Sequence, residues 1–392
     1  MIKKEFDMYR FFLLFLTATL LLVSCPGEGD ETNKLPVFPG WGIGVNIGNT
    51  FDSLNTNNIA GETGWGNPPV DRAYIQALKG HGFKTVRLPV SWVDYMDDAP
   101  NYTIDSTWMN RVEEVVNWIL DEDMYCILNL HHDGGGTETN NRKYWIKKIA
   151  IPEREDEVTD RFIKVWNQIA VRFRGASDKL ILESMNEVGF DSLWNRYQGG
   201  QAEKKAEAFR LLNKLNQVFV DTVRATGGKN ETRSLLIAGY WTDITNTCEP
   251  AFKMPDDTTD GKMILSVHYY TPWDFCGGKA VTWGSTANIN ELNRLFNMLK
   301  TNFIDNGVPV ILGEYGVDIQ SRTNGVTYIK EPESRVKWMT EVTQICINMG
   351  ICPVLWDTGM RPNNQGMADI QREAPFAISA DLKAMLQGLK QP

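Results

Sequence analysis

The chain has 392 residues, 42% of them hydrophobic and 23% charged, with a formal net charge of −9. That length can bury the core of one barrel-sized domain or of two ordinary ones. The acidic balance argues against nucleic acid or an anionic membrane surface as partner, since both need clustered Lys and Arg, and a neutral, diffusing substrate fits better.

Residues 1–24 read as a signal peptide. Lys3, Lys4 and Arg10 precede an apolar run from Phe11 to Val23 that is too short for a comfortable transmembrane helix. The stretch Leu22-Val23-Ser24-Cys25 resembles the lipobox of bacterial lipoproteins, which implies that Cys25 becomes the lipidated first residue of an exported protein, at the outer membrane and cell surface or in the periplasm. Residues 25–40 are polar and acidic and are expected to form a flexible tether. The domain proper is expected at 41–392. Of the other cysteines, Cys126 and Cys346 lie in apolar patterns that suggest packing, whereas Cys248 and Cys276 fall in loop-like segments where export makes a bridge possible.

In chain order the apolar, strand-like runs are Gly42–Ile47, Thr85–Val90, Tyr125–Leu130, Leu180–Met185, Leu235–Tyr240, Ile264–Tyr269, Val308–Gly313 and Cys352–Trp356. Most are apolar nearly throughout, as strands covered on both faces should be. Helical patterns lie between them at Trp108–Glu122, Asp160–Arg174, Ala202–Ala225, Ile289–Asn306 and Ser334–Asn348. Such alternation predicts an α/β fold, a single (β/α)8 TIM barrel, rather than an open doubly wound sheet. The Gly42-Ile43-Gly44-Val45-Asn46-Ile47-Gly48 stretch has neither the spacing of a dinucleotide fingerprint nor a helix directly after it.

Barrel enzymes carry their chemistry at the C-terminal ends of the strands. Here those ends hold Asn46 and Asn49, Arg87 and Trp92, His131-His132-Asp133, Asn186-Glu187, Tyr240-Trp241, His268-Tyr269-Tyr270, Glu314-Tyr315 and Trp356-Asp357. Three of the four histidines of the chain are among them. A bland explanation covers any one of these residues, but it has no mechanism for eight polar or aromatic strand ends on one side of a barrel. Adjacent His131 and His132 on a strand should face opposite ways, and no HxH or HExxH spacing occurs, so no metal is expected. There is no G-x-S-x-G elbow either. What remains is a pair of acids, Glu187 and Glu314. Two carboxyls facing one cleft are what glycosidic bond cleavage requires: one protonates the leaving oxygen, and the other attacks or activates water. With 13 Trp, aromatic faces are available to stack on pyranose rings.

The stretches GVNIGNTFD, ETGWGNPP, VRLPVSW, NLHHD, ESMNE, SVHYYTPWDFCGG, VILGEYG and VLWDTG together resemble glycoside hydrolase family 5, the cellulase family A, across Trp41 to Leu389. They look most like subfamily 4, whose members include endoglucanases, lichenases and xyloglucanases. The resemblance implies a retaining endo-β-1,4-glucanase acting on β-1,4-linked glucan as a monomer, with no cofactor and no metal. Glu187 would be the acid/base and Glu314 the nucleophile. Asn186 would hold the sugar 2-hydroxyl, Arg87 and Tyr270 would serve Glu314, and His268 would serve Glu187. His131 matches the family histidine after the third strand, and Trp356 would be the platform under the cleaved sugar. Asn46, Trp65, His132 and Trp273 are candidates for substrate binding at outer subsites. His81 has no matching role and is expected to be structural. A β-mannanase of the same family and a non-catalytic surface glycan-binding lipoprotein are the alternatives. Soluble glucans such as mixed-linkage glucan and xyloglucan are expected ahead of crystalline cellulose.

Overall fold

The eight apolar runs close on one another as parallel neighbours. In the computed structural model, residues 40–54, 59–134, 144–196, 201–360 and 366–390 are described; the expected signal peptide, Cys25 and the expected tether up to residue 39 lie outside them. The elements are β1 (Gly44–Asn46), α1 (Arg72–Gly80), β2 (Thr85–Leu88), α2 (Ser106–Asp121), β3 (Tyr125–Asn129), α3 (Glu155–Phe173), β4 (Leu180–Glu183), α4 (Lys205–Ala225), β5 (Leu235–Asp243), the short α5 (Ile244–Thr247), β6 (Met263–Tyr269), the short α6 (Trp273–Cys276), α7 (Thr286–Asn302), β7 (Val310–Tyr315), the hairpin β8 (Gln320–Thr323) and β9 (Val326–Ile329), α8 (Pro332–Asn348), β10 (Cys352–Leu355) and α9 (Ala380–Gly388). The strands form a closed barrel in the order β1-β10-β7-β6-β5-β4-β3-β2, with β8 and β9 as a separate antiparallel pair. The (β/α)8 barrel expected from the strand pattern is therefore the fold.

Two apolar layers hold it. Ile127, Ile181, Leu236, Ile264, Ile311, Cys352 and Val354 fill the inside of the barrel, with Trp41 packed against them. A larger cluster lies between strands and helices, where Val112, Val115, Val116 and Ile119 of α2 and Val165, Trp166 and Ile169 of α3 are fully buried at helical spacing. The C-terminal end of α3 is secured by Arg233. Its guanidinium donates to the carbonyls of Phe173, Ala176, Ser177 and Leu180 at 2.8 to 3.0 Å, satisfying groups that a helix end leaves open.

The differences from expectation sit at edges. Helix α3 begins at Glu155 rather than Asp160, because Glu155, Asp156 and Glu157 complement the positive end of the helix dipole. Strand β7 runs on to Tyr315, so Glu314 is a strand residue. Helix α1, capped by the Asp71 carboxylate accepting from the Tyr74 N–H, was not anticipated, and neither were α9 and the hairpin. Cys248 and Cys276 are both free thiols, as are Cys126, Cys346 and Cys352. The bridge does not form: Cys276 is buried within α6, and Cys248 caps the separate turn α5. Among the described residues, no helix is long and apolar enough to cross a membrane.

Candidate active site

The inside of the barrel changes from apolar to polar along β3, β4 and β6. Two residues beyond Ile127, Ile181 and Ile264 on the same strand face stand Asn129, Glu183 and Ser266, all fully buried. At the centre of this layer is Arg87, with no exposure to solvent. Its Nε donates to Glu183 Oε2 at 2.7 Å, Nη1 to Glu314 Oε1 at 2.7 Å and to Asn46 Oδ1 at 3.0 Å, and Nη2 to Asn186 Oδ1 at 2.9 Å. Ser266 Oγ donates to the other Glu183 oxygen at 2.7 Å. Breaking such a buried ion pair from one side costs about 3–5 kcal/mol, because the partner charge is left unpaired.

Around Glu314 the donors converge. Tyr270 Oη donates to Glu314 Oε2 at 2.9 Å, and His268 Nδ1 lies 3.5 Å from the same oxygen. His268 Nδ1 also bonds Glu187 Oε1 at 2.9 Å. Gly313, next to Glu314, makes room for this ring: a Cβ there would come within 3.1 Å of His268 Nε2. Carboxylate oxygens of Glu187 and Glu314 and a ring nitrogen of His268 all lie within 4.8 Å of one another. Burial pushes the Glu314 carboxyl above its ordinary value despite the opposing charges of His268 and Arg87. Burial also acts to raise Glu187, but the His268 hydrogen bond and charge outweigh it and hold this group below the usual range. The Glu187 side chain is 36% exposed against 7% for Glu314, so Glu187 meets the solvent of the cleft.

The histidine doublet does not split across the sheet as expected. Strand β3 has ended at Asn129, and both rings sit at the barrel mouth with centroids 4.6 Å apart. His131 stacks parallel to Trp356 at 5.7 Å, while His132 meets Trp65 edge-on at 5.7 Å and lies 4.0 Å from Asp52. Burial holds His131 well below its ordinary pKa and pulls His132 down to about 4, so both are neutral near pH 7. Trp273 is 63% exposed, with its ring at 6.2 Å edge-on to Tyr270. Glu187, His268, Tyr270 and Trp273 line one cavity of about 530 Å³ together with Trp241 and Arg196.

One expected contact residue is misplaced. Asn46 is fully buried, its amide donates to the carbonyls of Gly313, Val354 and Leu355, and its oxygen accepts from Arg87, so no atom is left for a ligand. It fixes Arg87 instead. His81 is structural as expected, with Nε2 at 2.8 Å from the Phe376 carbonyl at the end of α1. Asp133 and Asp357 are also structural: the first accepts from the Trp92 N–H and the Trp145 indole, the second from the Asp369 and Ile370 N–H groups. Glu183, Ser266 and Asn129 were missed, although the two-residue period of their strands would have put them on the inner face. Asp52 with His131 and His132, and Glu187 with His268 and Glu314, bring ligand-type atoms close enough for a cation, although Arg87 opposes one at the second group by charge.

Residues 47–361 match the family model described as cellulase, glycosyl hydrolase family 5. Endoglucanase A of Paenibacillus barcinonensis is 34% identical over 99% of this chain and 99% of its own length. A xyloglucan-specific endo-β-1,4-glucanase of Bacteroides ovatus is 34% identical over 81% of this chain, which spans 63% of that longer protein. Among solved structures, a subfamily 4 broad specificity endoglucanase of Bacteroides salanitronis superposes with a TM-score of 0.77 at 32% identity, covering 88% of this chain and 91% of the other.

Asp52 generates a stability prediction. It is fully buried; Oδ1 accepts from the Thr50 N–H at 2.8 Å, and Oδ2 has no hydrogen-bond partner among the described residues. Burial raises its pKa from 3.8 to about 6. A carboxyl raised on folding contributes stability below its unfolded pKa that is lost as pH rises through the folded one. Asp52→Asn should therefore gain on the wild-type chain between pH 4 and 7, by up to about 3 kcal/mol at 1.4 kcal/mol per pKa unit. Urea unfolding midpoints at several pH values measure it, and parallel pH profiles for the two chains would contradict it.

Proposed function

The chain belongs to glycosyl hydrolase family 5 and is an endo-β-1,4-glucanase of the retaining type, and on that premise we propose that Glu314 is its nucleophile, Glu187 its acid and base, and soluble β-glucan its substrate. The observation that carries this reading is the approach of the two carboxylates across His268. Retaining glycosidases hold their carboxyls about 5 to 5.5 Å apart, and inverting ones about 6.5 to 9.5 Å, because there a water must fit between the base carboxylate and the sugar. Oxygens within 4.8 Å of each other support the shorter class.

In the first step a Glu314 oxygen attacks the anomeric carbon while Glu187 gives its proton to the departing glycosidic oxygen. In the empty cleft the surroundings bias the two acids the other way, burial raising Glu314 and the His268 hydrogen bond and charge lowering Glu187. A pyranose lying over the exposed part of Glu187 removes its water and raises its pKa, and positive charge growing at the anomeric carbon favours the Glu314 carboxylate. Substrate thus shifts both acids toward the states the reaction needs. Once Glu314 is esterified its charge is gone, Glu187 loses a like-charged neighbour, and its carboxylate can take a proton from water to release the sugar.

The supporting residues follow from their contacts. Arg87 occupies Asn186 Oδ1, which leaves the Asn186 amide hydrogens to donate to the sugar 2-hydroxyl. Trp356, backed by the parallel His131 ring, offers a platform for the sugar at the cleavage point. Trp65, His132 and Trp273 lie farther out along the mouth and suit outer subsites. Xyloglucan has the β-1,4-glucan backbone that a relative's name describes, mixed-linkage glucan contains β-1,4-linked runs of it, and the exposed Trp273 at the rim offers such chains a stacking face. Lipidation at Cys25 belongs to the same proposal, and holds the barrel near a membrane where soluble chains arrive; Cys25→Ala should leave the membrane fraction, and unchanged fractionation would reject the anchor.

The assignment of Glu314 is tested by a 2-deoxy-2-fluoro-β-cellobioside with a good leaving group, which traps a glycosyl-enzyme. Mass spectrometry of peptides should find the label on Glu314, and a label on another residue would overturn the assignment. Initial rates on mixed-linkage glucan, xyloglucan, carboxymethyl cellulose and glucomannan should be highest on the first two; activity confined to mannan would refute the substrate.

A further inference from the structure

The hairpin β8–β9 takes no part in the barrel pairing, yet the lysine that ends it is almost completely buried. Lys330, the residue after β9, is 2% exposed. An ammonium taken out of water is costly unless its hydrogens are matched. Burial pulls the Lys330 pKa below the ordinary lysine value, in spite of the nearby charge of Asp318. Lys330 makes no ion pair among the described residues. Its Nζ donates instead to the carbonyls of Gly278 at 2.6 Å and Ala280 at 2.8 Å, and it stands 5.8 Å over the Phe275 ring. A buried charge whose hydrogens go to the backbone of another segment fixes that segment in place.

The segment it grips joins β6 to α7 and carries Trp273. Ser321 Oγ, on β8, donates to the same Gly278 carbonyl. The Asp318 N–H donates to the Cys276 carbonyl at 2.8 Å, and the Glu331 N–H to the Val281 carbonyl at 2.9 Å. From Gly278 the grip passes directly to Trp273, because the N–H groups of Gly277 and Gly278 both donate to the Trp273 carbonyl at 2.9 Å. The indole lies on this turn: a Cβ at Gly277 would come within 2.6 Å of the Trp273 ring. A ring that is 63% exposed gains little from burial, so the turn beneath it sets where it points.

We infer that Lys330 is a positioning residue for Trp273: its ammonium, with the Ser321 hydroxyl on the same carbonyl, fixes the turn from Trp273 to Ala280 and so the place where a glucan chain meets the rim of the cleft. This rests on the reading of Trp273 as an outer contact for the chain. It also gives the hairpin a task, since β8 and β9 bring Ser321 and Lys330 together at one carbonyl of that turn.

Lys330→Met keeps the length of the stem and removes the donors. On mixed-linkage glucan it should raise KM about fivefold, the scale of one aromatic contact, with kcat within about twofold of the wild-type value. On β-cellobiosyl fluoride, whose two sugars stay at the carboxylates, kcat/KM should be unchanged. Ser321→Ala should shift KM for the glucan in the same direction by a smaller factor, and it carries the same comparison if Lys330→Met does not fold. Trp273→Ala should match the loss in Lys330→Met, and the double variant should lose no more than either, because both changes remove one contact. Equal losses of folded variants on glucan and fluoride, an unchanged KM in both Lys330→Met and Ser321→Ala, or additive losses in the double variant would each overturn the inference and leave the reading of Trp273 standing. An unchanged KM in Trp273→Ala would overturn both.

Discussion

A guanidinium with no access to water governs the arrangement of this barrel mouth. Arg87 carries a charge that the protein interior tolerates only with carboxylates against it, and it has two, Glu183 and Glu314. Two further hydrogens go to Asn46 and Asn186. The ends of β1, β2, β4 and β7 are therefore tied to one planar, five-donor group whose geometry leaves little slack. Glu314 is aimed by that constraint, and Asn186 presents its amide rather than its oxygen to the cleft for the same reason.

The two acids differ because their surroundings differ. Glu314 sits inside the network with Arg87, Tyr270 and His268 on its oxygens, and is nearly closed to solvent. Glu187 has His268 as its hydrogen-bond partner and faces the cleft. An acid whose hydration is replaced when a ligand arrives changes its proton affinity through that loss of water, whereas one already closed off among fixed donors responds mainly to the charge that develops on the sugar. The division of labour proposed for nucleophile and acid/base rests on this contrast in burial and partners, on two side chains of the same type.

Much of this was legible in the sequence. Each of the eight barrel strands falls on a run that is apolar because both of its faces are covered, and the acids stand where those runs end. The hairpin β8–β9 lies outside the barrel and has no such run, and α9 has only a weak period; α1 does carry one, with Tyr74, Ile75 and Leu78 on its buried face, but over nine residues it is easily passed over. Asn46 illustrates the limit at the site: an Asn at a strand end reads the same whether its amide faces a sugar or three carbonyls, and only the closure of the barrel decides. Glu183 was hidden by its neighbours, since LILE reads as a strand interior until the two-residue alternation is followed inward. The cation–π contact between Lys147 and Trp241 joins residues distant in sequence, and no local signal announces it.

The reading of the mouth as a double-displacement site stands or falls on the configuration of the first product. Proton NMR of cellotetraose or mixed-linkage glucan digests, recorded before mutarotation equilibrates the anomers, distinguishes the two stereochemical courses directly. The β-anomer of the new reducing end should appear first and decay toward the α/β mixture, because attack by Glu314 and then by water inverts the same carbon twice. First appearance of the α-anomer would mean a single displacement by water, and would contradict the roles given to Glu187 and Glu314.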